Sequence, residues 1–322
     1  MKLNILVTGG AGLIGSHLCE ELVSKGNRVI AFDNLYSSSI GNIKGLLANK
    51  KNFEFIKGDV RNKKALAQII PRVDQVFHLA AILGVSKIME DPPLTASVNV
   101  LGTQNICDLA LKYGKKVTFT SSSDVYGKNA DLPLKEDSSL VFGASVNPRW
   151  NYGLTKALGE HLLFAHAKKG LSFAIVRLFN AYGPRGINTS YSHVIPRFIA
   201  HALKGESLPV LENGKQSRSF CYVSDTASGI ILASQKITND IVNLGSPKET
   251  YIIDLARKII KETNSKSKIE FITNTRFYGK NFEDTKRRVP DITKAKKLLK
   301  FKPKVSLEEG IKKTAKWVGD YI

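Results

Sequence analysis

The sequence predicts an α/β fold: a Rossmann-type doubly wound parallel sheet joined to a smaller mixed α/β domain. Three observations carry that expectation. Short apolar runs alternate with helical patterns from residue 3 to about residue 180, the order of a parallel sheet covered by helices. A glycine-rich turn follows the first apolar run. Beyond Asn180 the regular alternation ends. The expected division is residues 1–180, with a return of about 225–245, for the sheet, and mainly 181–322 for the smaller domain.

Residues 3–7 are an apolar run bounded by Thr8-Gly9-Gly10 and read as a buried parallel strand. Gly9, Gly12 and Gly15 precede a helical pattern through Leu18, Leu22 and Val23. Glycines so spaced allow a tight turn, close backbone approach to a pyrophosphate, and close helix-to-strand packing. The helix N-terminus adds N–H donors and positive dipole. A second strand over 28–32 leads to Asp33, which suits a ribose diol and repels a 2′-phosphate, so NAD is favoured over NADP. A strand over 53–56 leads to Gly58-Asp59-Val60, where Asp59 either reaches the adenine side or caps a helix beginning near Asn62. Residues 74–79 form a strand ending in His78-Leu79-Ala80-Ala81; the alanines let backbone pass close to the cofactor, and His78 reads as a packed core residue. A helix is expected over 96–113 and a strand over 117–120, leading into Ser121-Ser122-Ser123-Asp124. Ligands of such sheets lie at the carboxyl ends of the strands, so the glycines, Asp33, Ala80, Ser122 and Asp124 can face one crevice.

After a strand over 173–178, Asn180-Ala181-Tyr182-Gly183-Pro184-Arg185 is loop-like. A helix over 193–203, a strand or turn over 208–213, a strand over 241–244, a helix over 250–263 and a strand over 268–271 follow. Asp225 reads as the N-cap of a further helix. Residues 277–290 are polar and irregular, and 292–299 and 307–321 are helical.

The composition, 43% hydrophobic and 24% charged, is that of a soluble globular protein. No run approaches a membrane span and the N-terminus does not read as a signal peptide. Cys19, Cys107 and Cys221 are far apart and outside any metal-ligand spacing, so reduced thiols in the cytoplasm and no metal are expected. The net charge of +20 comes from scattered lysines without interleaved aromatics, a solvated surface rather than a nucleic-acid footprint.

A further helical pattern over 152–169 opens with Tyr152 and Lys156, one turn apart on the same face. An ammonium near a phenol favours the phenolate, which can take a proton from a sugar hydroxyl. The spacing alone recurs by chance on half-exposed helices; the dinucleotide motif upstream supplies its context.

These residues together resemble the extended short-chain dehydrogenase/reductases that act on nucleotide sugars, over nearly the whole chain. The resemblance rests on Thr8-Gly9-Gly10-Ala11-Gly12-Leu13-Ile14-Gly15, Asp33-Asn34, Gly58-Asp59-Val60 and His78-Leu79-Ala80-Ala81. It continues in Ser122-Ser123-Asp124-Val125-Tyr126-Gly127, Tyr152 and Lys156, Arg177 to Arg185, and Arg218-Ser219-Phe220-Cys221-Tyr222-Val223-Ser224-Asp225. It implies NAD contacts from Gly9, Gly12, Leu13, Ile14, Gly15, Asp33, Asn34, Asp59, Val60, Leu79, Ala80, Ala81, Tyr152 and Lys156. It implies that Tyr152 takes the proton of the sugar C4 hydroxyl, that Ser122 bonds the same oxygen, and that Lys156 holds the Tyr152 pKa down. Ser123 and Asp124 are candidates for later steps, and Asn180, Arg185, Arg218 and Arg288 for substrate binding. A UDP-sugar or related nucleotide sugar is the implied partner, and a homodimer through helices 96–113 and 152–169 the implied assembly.

Within the family, Asn147-Pro148-Arg149-Trp150-Asn151-Tyr152, Tyr278-Gly279-Lys280-Asn281-Phe282-Glu283-Asp284 and Arg288-Val289-Pro290-Asp291 resemble the UDP-glucuronate decarboxylase group. Decarboxylation through a 4-keto sugar is the leading expectation, with 4-epimerisation next and 4,6-dehydration third. A non-catalytic nucleotide sensor is the alternative outside enzymes. In the resembled group a Glu stands where this chain has Asp124, one methylene shorter. Arg288 acts at C5 or clamps the diphosphate; Asp124 works on protons at C5 or caps its loop; Arg149 and Trp150 touch the sugar or pack the entrance of their helix.

Overall fold

The computed structural model describes residues 2–186, 194–278 and 282–322. A seven-stranded sheet forms its centre. Six strands come first: β1 Asn4–Thr8, β2 Arg28–Asp33, β3 Phe53–Lys57, β4 Gln75–His78, β5 Lys116–Ser122 and β6 Phe173–Leu178. The seventh, Asp240–Leu244, joins β6 at one edge; the order across the sheet is then β6, β5, β4, β1, β2, β3, with every neighbouring pair parallel. The order reverses beside β1, which opens the ligand crevice of a doubly wound sheet.

Strand side chains alternate between faces. Ile5 and Val7 therefore enter one core with Leu18 and Leu22 of helix Leu13–Ser24 and with Ala227, Ile230 and Ile231 of helix Val223–Lys236. Leu6 enters the opposite core with Leu66, Ile106 and Leu163. Ile292, Ala295 and Leu299 also pack into the first core, so the chain returns to the sheet near its end as well as at 223–244. A third core, holding Ile195, Phe198, Leu255, Ile259 and Val318, supports the smaller part.

The expected strands and helices are present in the described residues, with boundaries shifted by at most four residues. His193, where a helix was expected to begin, lies outside the described residues; the helix there is Val194–Lys204. Gly279, Lys280 and Asn281 also lie outside them. Two expectations are corrected. The helix expected over 96–113 starts earlier, at Pro92, because Asp91 accepts the Leu94 N–H at 2.9 Å and proline fits a first turn. It then passes through a π-helical turn, Ser97–Leu101, before Gly102–Lys112. Asp225 is not an N-cap: the helix begins at Val223, and the Asp225 carboxylate accepts the N–H groups of Lys304 and Val305 at 2.9 and 3.0 Å.

Three small sheets accompany the central one, and their pairings were not anticipated, although strands near 208–211 and 269–272 were. Ser217–Ser219 pairs antiparallel with Glu249–Tyr251 and parallel with Arg287–Arg288, which puts Arg218 and Arg288 in register side by side. Leu208–Leu211 pairs with Ile269–Ile272, and Ala181–Tyr182 with Cys221–Tyr222. All three cysteines are free and buried, and burial pushes the Cys107 and Cys221 thiols up to about 12, so they are inert. Among the described residues no helix is long and apolar enough to cross a membrane.

Candidate active site

The turn between β1 and helix Leu13–Ser24 is built from backbone. Gly9 has φ 70°, a left-handed conformation that glycine adopts without strain. A Cβ on Gly15 would collide with the Gly9 carbonyl oxygen, so the helix can sit this close to β1 only without one. Gly12 and Leu13 line both parts of the crevice, a cavity of about 350 Å³ and an adjoining one of about 150 Å³. Asp33, at the end of β2, lines the smaller cavity with Asn34, Val60, Leu79, Ala80 and Ala81. Its carboxylate accepts the N–H groups of Ala11 (3.0 Å) and Leu35 (2.8 Å) and the Ser38 hydroxyl (2.7 Å), and is thereby fixed. A carboxylate offers about four acceptor directions, so a ribose hydroxyl can still be met. Buried Asn99, in the π-helical turn, binds the Ile82 N–H at 2.9 Å and the Thr155 hydroxyl at 3.1 Å, tying the loop after β4 to the long helix Asn151–Ala167.

Asp59 lies between two lining residues of the smaller cavity and is not the cap of the next helix. Gly58 and Val60 line the smaller cavity, while the Asp59 carboxylate is held by Arg61 at 2.7 and 3.0 Å and by Asn34 at 3.3 Å. Those hydrogen bonds, Arg61's first, hold it below the usual carboxylate range. The cap of the next helix is Asn62, which accepts the Ala65 N–H at 3.1 Å. His78 is fully buried between the hydroxyls of Thr8 (2.7 Å) and Thr103 (3.1 Å), and burial lowers its pKa to about 3. It is a neutral packed residue.

The larger cavity gathers Ser122, Ser123, Asp124, Tyr152 and Lys156 from the end of β5, the turn after it, and the long helix. The Ser122 hydroxyl donates to Asp124 at 3.2 Å and accepts the Asp124 N–H at 3.1 Å. Lys156 is buried and donates to the Thr120 carbonyl at 2.7 Å. Burial lowers its pKa to about 7, opposed by Glu160 one turn on. The groups that set the Tyr152 pKa in this structure do not include Lys156. Burial and then the Asp124 charge push the phenol up, and hydrogen bonding from Ser122 and the charges of Arg149 and Arg288 act the other way. The Lys156 ammonium is turned toward the Thr120 carbonyl.

Asp124 is itself clamped. Burial would raise its carboxyl, but Arg288 and Arg149 outweigh that and hold it well below the usual carboxylate range. Arg149 reaches one carboxylate oxygen at 2.7 Å and Arg288 the same oxygen at 3.1 Å. Arg218, beside Arg288, binds both oxygens of Asp284 at 2.8 Å. Asn180 lines the cavity but donates its amide to the Ser219 carbonyl at 2.9 Å. Arg185 does not face the larger cavity: with a left-handed backbone at φ 71° it turns to Glu20, at 2.6 Å, and lines the smaller cavity. Sequence reasoning left the role of Arg149 open and missed Arg197 and Asp284 on the same wall. A usable signal preceded Arg149: Asn147 caps its N–H at 3.1 Å and Pro148 opens the turn, so the pair mounts Arg149 rigidly.

The model of the NAD dependent epimerase/dehydratase family matches residues 5–245. The chain is 43% identical over 318 residues to a Bacillus cytotoxicus protein described as UDP-N-acetyl-alpha-D-glucosaminuronate decarboxylase, covering 98% of both chains. It is 37% identical over 315 residues to UDP-glucuronic acid decarboxylase 5 of Arabidopsis thaliana, covering 96% of this chain and 87% of that one. Among solved structures, the Thermotoga maritima UDP-glucose 4-epimerase superposes with TM-score 0.90 at 30% identity, covering 99% of each chain. The Bacillus cereus UDP-glucuronic acid 4-epimerase, solved with UDP-glucuronic acid and NAD, gives TM-score 0.89 at 29% identity over 99% of this chain and 100% of that one. The glycine cradle, the fixed Asp33 carboxylate and the close alanines fit a dinucleotide. The chain belongs to the NAD dependent epimerase/dehydratase family, as an enzyme that uses NAD.

Proposed function

We propose that the enzyme removes the C6 carboxylate of a UDP-hexuronate, UDP-glucuronate or its 2-acetamido counterpart, by way of a 4-keto sugar. The observation that carries this reading is Asp124 clamped between buried Arg149 and Arg288 beside Ser122. Oxidation at C4 alone has no need of such a cluster, whereas chemistry at the neighbouring C5 does. The two decarboxylase relatives, alike over nearly the full chain, support the same choice.

Tyr152 takes the proton of the C4 hydroxyl while Ser122 bonds the same oxygen. NAD, which the Gly9–Gly15 turn and Asp33 would hold, would supply the hydride chemistry at C4 and positive charge near the phenol. With C4 a ketone, the C6 carboxylate belongs to a β-keto acid. The C5–C6 bond breaks, its electron pair passes into an enolate on the C4 oxygen, and carbon dioxide leaves. The Tyr152 and Ser122 hydroxyls face that oxygen and stabilise its charge. C5 then takes a proton. Asp124 is held ionised by its arginines, so its role is to position and balance charge, with water relaying the proton. Asn180, Arg218 and Arg197 are left for the rest of the nucleotide sugar, since guanidinium forks match phosphate oxygens.

The test is incubation with UDP-glucuronate, UDP-N-acetylglucosaminuronate, UDP-glucose and UDP-N-acetylglucosamine, with products read by mass and NMR. Loss of carbon dioxide from either uronate is expected. A mass-neutral change at C4 points to epimerisation and loss of water to dehydration; either result, without decarboxylation, removes the reading.

We also propose a homodimer. Leu154 and Leu158, 45% and 46% exposed, share one stripe of the long helix. Leu158→Arg should shift sedimentation from dimer to monomer; a monomeric parent protein contradicts the assembly.

A further inference from the structure

We infer that Arg149 is a specificity-determining residue which, with Arg288, receives the carboxylate borne on C5 of the sugar, Asp124 acting as the counter-ion that holds the two guanidinium groups together. This rests on the reading of the sugar pocket given above. Both arginines approach the same Asp124 oxygen, at 2.7 and 3.1 Å, and the other oxygen is turned to Ser122 at 3.2 Å. Two cations against one anion leave a positive charge, and it is buried: the Arg149 and Arg288 side chains are 6% and 4% exposed. A buried charge that lacks a full complement of partners is costly, and an anionic ligand relieves that cost.

The hydrogen bonding shows the same deficit. Arg149 and Arg288 each keep a buried Nε donor without an acceptor, and both line the larger cavity. Arg218, on the same wall, already has both Asp284 oxygens. Arg197, also on this wall, keeps a buried Nε without an acceptor as well, but it has no Asp124 contact; the pair that shares Asp124 is the one next to Ser122, which faces the C4 oxygen, and C5 is one bond from C4. The mounting is rigid. Trp150 donates to Glu283 at 3.1 Å, and the Arg149 guanidinium lies 5.8 Å from the Trp150 ring centroid. A fork held in place binds a planar carboxylate with little further ordering.

The experiment uses NAD-loaded Tyr152→Phe protein, so that nothing turns over, and titration calorimetry. The probes are two matched pairs: UDP-glucuronate with UDP-glucose, and UDP-N-acetylglucosaminuronate with UDP-N-acetylglucosamine. Within each pair only the C5 substituent changes, from carboxylate to hydroxymethyl. In at least one pair the uronate should bind about tenfold or more tighter, the scale of a charge-assisted hydrogen bond. Adding Arg149→Met should reduce that preference to about threefold or less while leaving the neutral sugar's affinity within about threefold. Should Arg149→Met fail to melt cooperatively, Arg149→Lys decides: it keeps the charge without the fork and should lose about threefold or more in uronate affinity alone. No uronate preference in the parent, an undiminished preference in the variant, or equal weakening of both ligands overturns the inference. The functional reading fails separately, if the wild-type enzyme releases no carbon dioxide from either uronate.

Discussion

The cofactor side and the sugar side of the crevice are built by opposite means. Between Gly9 and Asp33 the parts are near in sequence, and the one buried acid is satisfied by Ala11, Leu35 and Ser38. Across the crevice, Asp124, Arg149, Arg218 and Arg288 come from separate elements, and two of those arginines retain buried donors with no acceptor. Shape made from glycine and backbone suits a cofactor of fixed outline. Charge held in low-dielectric surroundings and left incompletely met suits a substrate that brings charge of its own.

The comparison can be broken most severely at Tyr152, where the two sides meet. Tyr152→Phe should lower turnover by roughly 10²–10⁴-fold or more, the scale of a lost general base, with little change in melting temperature. Retained turnover would remove the catalytic assignment. Next is Asp124→Asn, which leaves two buried cations without their anion and should destabilise the fold by about 3–5 kcal/mol, read by denaturant unfolding. The pH sign follows from the depressed native pKa of Asp124. Its stabilisation is complete above its unfolded pKa of roughly 4 and is lost as pH falls through the native value. Asp124→Asn should therefore flatten the acid limb of the stability curve; an unchanged limb contradicts the clamp.

On the cofactor side, Gly15→Ala should cost about 1–3 kcal/mol through overpacking against Gly9 and weaken NAD binding, measured by melting with and without NAD. An unaltered response to NAD would show that the cradle tolerates a Cβ. The smallest effect is expected at Arg185, whose partner Glu20 is 39% exposed. Arg185→Gln should change stability by at most about 1 kcal/mol and leave UDP-sugar affinity unchanged, which calorimetry checks. A large loss of sugar affinity would return Arg185 to the substrate.

The legibility of the sequence follows the same divide. The glycines follow a strand, Asp33 and Ser122 each close one, and the strands announce themselves as short apolar runs because both faces of the sheet are buried. A side chain's use depends on what folds against it, and that was not legible. Asp225 looks like a helix cap but serves Lys304 and Val305, nearly eighty residues on. Arg218 and Arg288 are paired by strands two and three residues long, too short for any periodicity to announce. The spacing of Tyr152 and Lys156 was readable, but their electrostatics were not: burial and Asp124 dominate the phenol, and Lys156 turns to Thr120.

The proposed chemistry is tested most directly by running the NAD-loaded enzyme on the two UDP-uronates in deuterium oxide and locating the label by NMR. Decarboxylation through a C4 enolate predicts a UDP-pentose, or its 2-acetamido counterpart, carrying one solvent deuteron at C5 and none at C4. A product that keeps its carboxylate, inverted at C4 and unlabelled at C5, would contradict it.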